Sequence, residues 1–103
     1  MVGDTPAVRR KIKVSVTYLG ALAAEAGLVS EEFCFPDTPS LSDVLSAVRA
    51  SRGPAVGRLV ADDLGAAQPF LLITVNRTDV PYGQNPAVAD GSEIWLALAV
   101  SGG

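Results

Sequence analysis

The most apolar stretch of the chain, residues 93–100, lies at its very end. Its length and the Asp90-Gly91 turn pair just before it mark it as a β-strand. Apolar residues on both faces of a strand need cover on both sides. A terminal segment of this kind is therefore expected in the middle of a sheet, beside the first strand of the chain, with helices segregated to one side.

The first strand is legible from Lys11 onward. Ile12, Val14, Val16 and Tyr18 alternate with Lys11, Lys13, Ser15 and Thr17, the period of a half-buried strand. Residues 19–26 are alanine-rich and end at Gly27, which suits a turn or two of helix. A short strand over 32–35 follows and completes a hairpin with the first. Ser40 and Asp43 then place a hydroxyl and a carboxylate where a helix start uses both. The helix predicted over 41 to about 52 carries Leu41, Val44, Leu45 and Val48 at i, i+3, i+4 and i+7, a stripe that packs on one sheet face. Arg49 and Arg52 suit its carboxyl end, and Gly53-Pro54 stops it. Residues 55–64 read as a second, weaker helix and 65–69 as loop. Residues 70–75 form a strand that 76–78 turns into a short one ending at Pro81. The order is ββαββ β with one dominant helix, an α+β domain with a mixed sheet.

At 103 residues and 49% hydrophobic, the chain buries one core, since domains cluster around ~100–150 residues. Residues 1–10 show no periodicity and read as a flexible arm, 11–100 as the folded domain and 101–103 as a Ser-Gly-Gly tail. Eight basic residues against eleven acidic ones leave a net charge of −3, a field that repels phosphate backbones and disfavours nucleic acid as a partner. Arg9, Arg10, Lys11 and Lys13 form a basic cluster without interleaved aromatics, too short for an RNA surface. No apolar run approaches the ~20 residues that cross a bilayer. The start lacks a signal-peptide core, so the expectation is a cytoplasmic protein without a membrane.

The side chains offer little chemistry. Histidine is absent, which removes the usual general base and the commonest metal ligand, and no metal site is expected. Cys34, the single cysteine, lies between Phe33 and Phe35 and is expected to be buried and structural. Glu31, Glu32, Asp62 and Asp63 are adjacent pairs whose members point apart on a strand or helix, so they are expected on solvated faces. Trp95 falls opposite Ile94, Leu96 and Leu98 in the strand alternation. With Phe70 and Leu72 it is a candidate for an apolar partner-binding patch on the helix-free sheet face. The alternative is that the loop 54–69 covers it.

The carboxyl terminus carries the strongest signal. Two glycines in the last two places arise by chance in roughly 0.5% of chains at a usage near ~7%, and here they follow directly on the most buried strand. Glycines without a Cβ let a tip enter a narrow channel, and three residues reach about 10 Å. The segments Val75-Asn76-Arg77-Thr78-Asp79-Val80, Asp90-Gly91-Ser92-Glu93-Ile94 and Val100-Ser101-Gly102-Gly103, with Ile12-Lys13-Val14 near the other end, resemble the MoaD/ThiS sulfur carriers, particularly the molybdopterin synthase small subunit. The resemblance covers residues 11–103. It departs at Leu98-Ala99, where the molybdopterin branch often has two prolines.

The resemblance implies a ubiquitin-like β-grasp fold and a chain that is not catalytic alone. It would act as the sulfur-donor subunit of a two-subunit sulfurtransferase. Gly103 would be adenylated by an E1-like enzyme that consumes ATP, then converted by a sulfide or persulfide donor to a thiocarboxylate. No bound cofactor is implied. Val100, Ser101 and Gly102 would thread the tail into the large molybdopterin synthase subunit or another sulfur-accepting enzyme. Synthesis of thiamine or another sulfur metabolite, conjugation of Gly103 to target lysines, and a binding module with incidental glycines are the alternatives.

Overall fold

The computed structural model describes residues 11–99. The expected arm 1–10 and the residues Val100, Ser101, Gly102 and Gly103 lie outside the described residues. Five strands form one sheet: β1 (Ile12–Tyr18), β2 (Ser30–Phe35), β3 (Leu71–Val75), β4 (Thr78–Asp79) and β5 (Ser92–Leu98). Their order across the sheet is β2-β1-β5-β3-β4. The last strand lies in the centre, parallel to β1 on one side, with Tyr18 opposite Leu96, and antiparallel to β3 on the other, with Ile73 opposite Leu96. This is the mixed sheet of a ubiquitin-like β-grasp fold.

Helix α1 (Ala21–Ala26) fills the β1–β2 connection and ends on Gly27 in the left-handed conformation. Helix α2 (Leu41–Arg52) starts with a complete capping box: Asp43 N–H donates to Ser40 Oγ, and Ser40 N–H donates to the Asp43 carboxylate. Its stripe of Leu41, Val44, Leu45 and Val48 is buried to 1% exposure or less, against Val14, Val16, Ile94 and Leu96 of the two central strands. Ile12 and Leu98 border this core and are only partly buried. The helix after α2, α3 (Pro54–Val60), is shorter than the sequence suggests. Pro54 opens it, and the chain leaves helical geometry at Ala61, which pairs with Ala67. Gly57 lets α3 lie close on α2, since a Cβ there would sit 3.1 Å from Arg49 Cγ.

Two expectations are corrected. Cys34 is exposed. In β2 the alternation turns Phe33 and Phe35 toward the core and Cys34 outward, so apolar neighbours in sequence are what place the thiol on the opposite face. Glu31 shares the inward parity of Phe33 and is half-buried rather than solvated. Its carboxylate accepts from Tyr18 Oη at 2.6 Å and Ser51 Oγ at 3.0 Å, and pairs with Arg52 Nε at 3.1 Å. The other three acidic residues, Glu32, Asp62 and Asp63, are exposed, although Asp62 Oδ1 accepts from the N–H groups of Leu64 and Ala66.

The Tyr18 hydroxyl is held well above its usual titration range, first by burial, then by its hydrogen bond to Glu31 and that carboxylate's charge, with Arg52 opposing. A proton held more tightly in the folded state makes stability fall as pH rises past the unfolded value of ~10. The slope should approach ~1.4 kcal/mol per pH unit from this one group. Thermal unfolding followed from about pH 9 to about pH 11 should show that decline, and Tyr18→Phe should flatten it.

Candidate functional site: the outer sheet face and the root of the tail

The helices cover one face of the sheet and leave the other open. On the open face the outward positions of three neighbouring strands meet. β5 presents Glu93, Trp95 and Ala97, β3 presents Leu72 and Thr74, and β1 presents Ser15 and Thr17. Trp95 is flanked by Thr74 on one side and Thr17 on the other, so the half-buried indole sits at the middle of the face. Leu72 lies beside Ala97, and Phe70 precedes Leu71 with the same outward parity. Leu72 is 55% exposed and Phe70 41%, so the loop 54–69 does not cover them. Leu19, whose N–H donates to Leu96 O, adds a further exposed apolar residue at the same end. The structure thus places Trp95, Phe70 and Leu72 on one face.

The patch runs toward the carboxyl end of β5. There the ladder continues one residue past the strand, with Ala99 N–H donating to Phe70 O at 2.8 Å. The root of the tail is therefore tied into the central strand pair, and the apolar residues surround its point of departure. Of the charged residues of this face, Lys13, Glu32 and Glu93 lie on the other side of Trp95, and Asp79 lies level with it across Thr74.

Asn76 and Arg77, a turn in the sequence, have further contacts in the structure. Val75 pairs with Thr78, so these two residues form a two-residue hairpin loop, with φ of 52° and 69°. Positive φ at both positions is the geometry that favours Asn-Gly. Asn76 ties the loop to β5: its Oδ1 accepts from Glu93 N–H at 2.9 Å and its Nδ2 donates to Ser92 Oγ at 3.2 Å. Arg77 stands where glycine is free of strain, and its guanidinium lies 5.9 Å from the centroid of the Trp95 ring. Such a contact at an exposed site contributes ~0.5–1 kcal/mol. A left-handed non-glycine residue costs ~1–2 kcal/mol. The stacking does not offset the turn.

Elsewhere the polar groups are engaged in holding loops. Arg49 donates to the carbonyls of Ala61 and Asp62 and pairs with Asp63 at 3.4 Å. A cavity of about 340 Å³ between α2 and the loops around Leu64 and Tyr82 is lined by uncharged residues. Among the described residues, no group of three or more Cys, Asp or Glu side chains is placed to hold a metal ion. No helix among them is long and apolar enough to cross a membrane.

No protein-family model matches the chain, and no curated protein is significantly similar to it in sequence. Solved structures do match. SAMP1 from Haloferax volcanii superposes with a TM-score of 0.74 at 25% identity, over 88% of this chain and 99% of that one. The chain has the ubiquitin-like β-grasp fold, and its structural neighbours are of the MoaD/ThiS type. Two further structures bracket the neighbourhood of this β-grasp domain. A putative molybdopterin converting factor, subunit 1, from Pyrococcus furiosus matches with a TM-score of 0.67 at 21% identity, over 86% of this chain and 99% of that one. A chain of the BexX/CysO complex of Amycolatopsis orientalis matches with a TM-score of 0.63 at 23% identity, over 87% and 99%. One of these neighbours is thus described as a subunit of a converting factor, and another was solved in a complex with a second protein.

Proposed function

We propose that this β-grasp domain is a sulfur carrier whose Gly103 carboxylate is activated and converted to a thiocarboxylate, with the small-subunit role in molybdopterin synthase as the favoured setting. The observation that carries the reading is the join of motif to fold. Val100-Ser101-Gly102-Gly103 follows directly on a central strand whose ladder holds as far as Ala99. Four residues beyond that point span at most ~14 Å, enough to carry a terminal atom into a partner's active site while the sheet stays outside.

The chemistry requires activation because a carboxylate, with a terminal pKa near ~3.3–3.7, is ionised at neutral pH and resists nucleophiles. An E1-like partner would join a carboxylate oxygen to the α-phosphorus of ATP and expel pyrophosphate. Hydrosulfide then forms a bond to the acyl carbon as the bond to AMP breaks, AMP taking the electron pair. The resulting thiocarboxylate sulfur is the nucleophile delivered to the large synthase subunit or another acceptor. The carrier supplies the atom and its presentation, and the partner supplies the catalytic groups.

Conjugation to amines is the second reading. It is favoured by the several neighbours that are called modifier proteins, including one from Methanosarcina acetivorans at a TM-score of 0.73 and 20% identity. Both readings share the acyl adenylate and differ in the nucleophile that consumes it. Incubation with an adenylating partner, ATP and sulfide, followed by mass spectrometry of the carboxyl-terminal peptide, separates them. Sulfur in place of oxygen at Gly103 supports the carrier; an isopeptide to a lysine supports the modifier.

In the carrier reading, the face around Trp95, Phe70 and Leu72 docks on the partner. Trp95→Ala should weaken association by ~1 kcal/mol or more, about fivefold or greater in Kd, because a central aromatic is the residue type that anchors such contacts. Titration calorimetry against the adenylating partner checks it, and unchanged affinity assigns Trp95 to packing within the sheet.

A further inference from the structure

We propose that Arg77 recognises a carboxylate on the surface of the enzyme that activates the tail. The inference rests on the docking reading above and names the chemistry of the surface that docks. Its first support is the backbone. Residues 76 and 77 form a two-residue loop with positive φ at both places, where glycine at the second is the residue without strain. A long cationic side chain kept in that conformation marks a position whose side chain is used, since strained backbone concentrates at recognition and switch sites.

The second support is the setting of the guanidinium. It lies over the Trp95 ring at 5.9 Å, at the border between the apolar half of the outer face and its charged half. Arg77 is exposed, and among the described residues it makes no ion pair, although Asp79 is only two residues away. The other ion pairs of the described domain serve to hold helix ends and loops. Arg77 holds nothing of the kind, because the hairpin is tied to β5 by Asn76 rather than by its neighbour. Held over the indole and exposed, the guanidinium is a planar donor without a recorded partner among the described residues, a group suited to a carboxylate. Charge pairs at the edge of an apolar contact act mainly on encounter and register, and they weaken with salt. The partner that fits is therefore a protein surface with an apolar centre and an acidic side chain beside it.

The test uses the full chain and a purified E1-like adenylating enzyme from the same organism, with pyrophosphate exchange as the readout. Arg77→Gly restores the favoured Asn-Gly turn, so its thermal midpoint should not fall. Its KM as a substrate should nevertheless rise about tenfold with kcat unchanged, and the salt dependence of KM should shrink. Arg77→Glu should raise KM further, and Arg77→Lys should fall between. A KM indifferent to both Arg77→Gly and Arg77→Glu, with the wild type activated normally, overturns this inference alone. A wild-type chain that is not adenylated overturns the carrier reading and this inference together.

Discussion

Deleting Gly103, or adding one residue after it, should abolish sulfur transfer and leave the thermal unfolding of the domain where it was. The reacting atom would be displaced by about 3.5 Å, and a misplacement of even ~1 Å can cost ~100-fold in rate. The fold is not expected to change, because the residues of the described core lie within 11–99 and these variants alter only the last position. The chain has no histidine to serve as an alternative base. Cys34 is exposed, yet it is badly placed to stand in for the tail. It pairs across the sheet with Lys13, whose carbonyl accepts from Gly91 N–H, eight residues before Ala99 along β5. At ~3.3 Å per residue that offset is roughly 26 Å, about twice the reach of the four residues after Ala99. Cys34→Ser should leave transfer intact, and since the thiol packs in no core it should leave stability intact as well. Single-turnover transfer with mass analysis of the terminal peptide, alongside a melting curve, checks all three variants. Sulfur recovered on Cys34 rather than on Gly103 would overturn the assignment.

Leu45→Ala should be the most destabilising of these substitutions, at ~2–5 kcal/mol. Leu45 is 1% exposed at the middle of the α2 stripe, packed on the central strands, where the surrounding side chains belong to sheet and helix and collapse little into a void. For a domain near 100 residues each kcal/mol moves the midpoint by about 4–8 °C, so a drop of ~10 °C or more is expected. Denaturant unfolding with an unchanged m-value separates lost packing from a changed unfolded state. A midpoint that barely moves would remove Leu45 from the core.

Most of the elements were legible because their signals are local. The alternation from Ile12 to Tyr18, the i, i+3, i+4, i+7 stripe of α2 and the Ser40–Asp43 capping box depend on neighbours within one turn or one strand, and all three stand in the structure. The ends of elements were less so. The helix expected over 55–64 stops at Val60, because Ala61 finds a partner in Ala67 and Asp62 closes a turn, contacts that no helix propensity contains. The burial of Cys34 failed for a related reason. Cysteine's average preference for interiors yields here to strand parity, which puts its two phenylalanine neighbours on the core side and the thiol on the other.

The sequence by itself determined the class of the fold, the central place of the last strand and the prominence of its glycine tail. Each of these follows from hydrophobic period or from covalent order along the chain. Only the tertiary structure decided what meets across the sheet. Glu31 became a partner for Tyr18, Ser51 and Arg52, and Arg77 came to lie over Trp95. Leu19, Leu72 and Phe70 gathered around the point where the tail departs. These juxtapositions join residues at least 13 places apart in the chain, and those between strands are set by register, a property of the assembled sheet, where a slip of one residue would turn a strand's side chains to the opposite face.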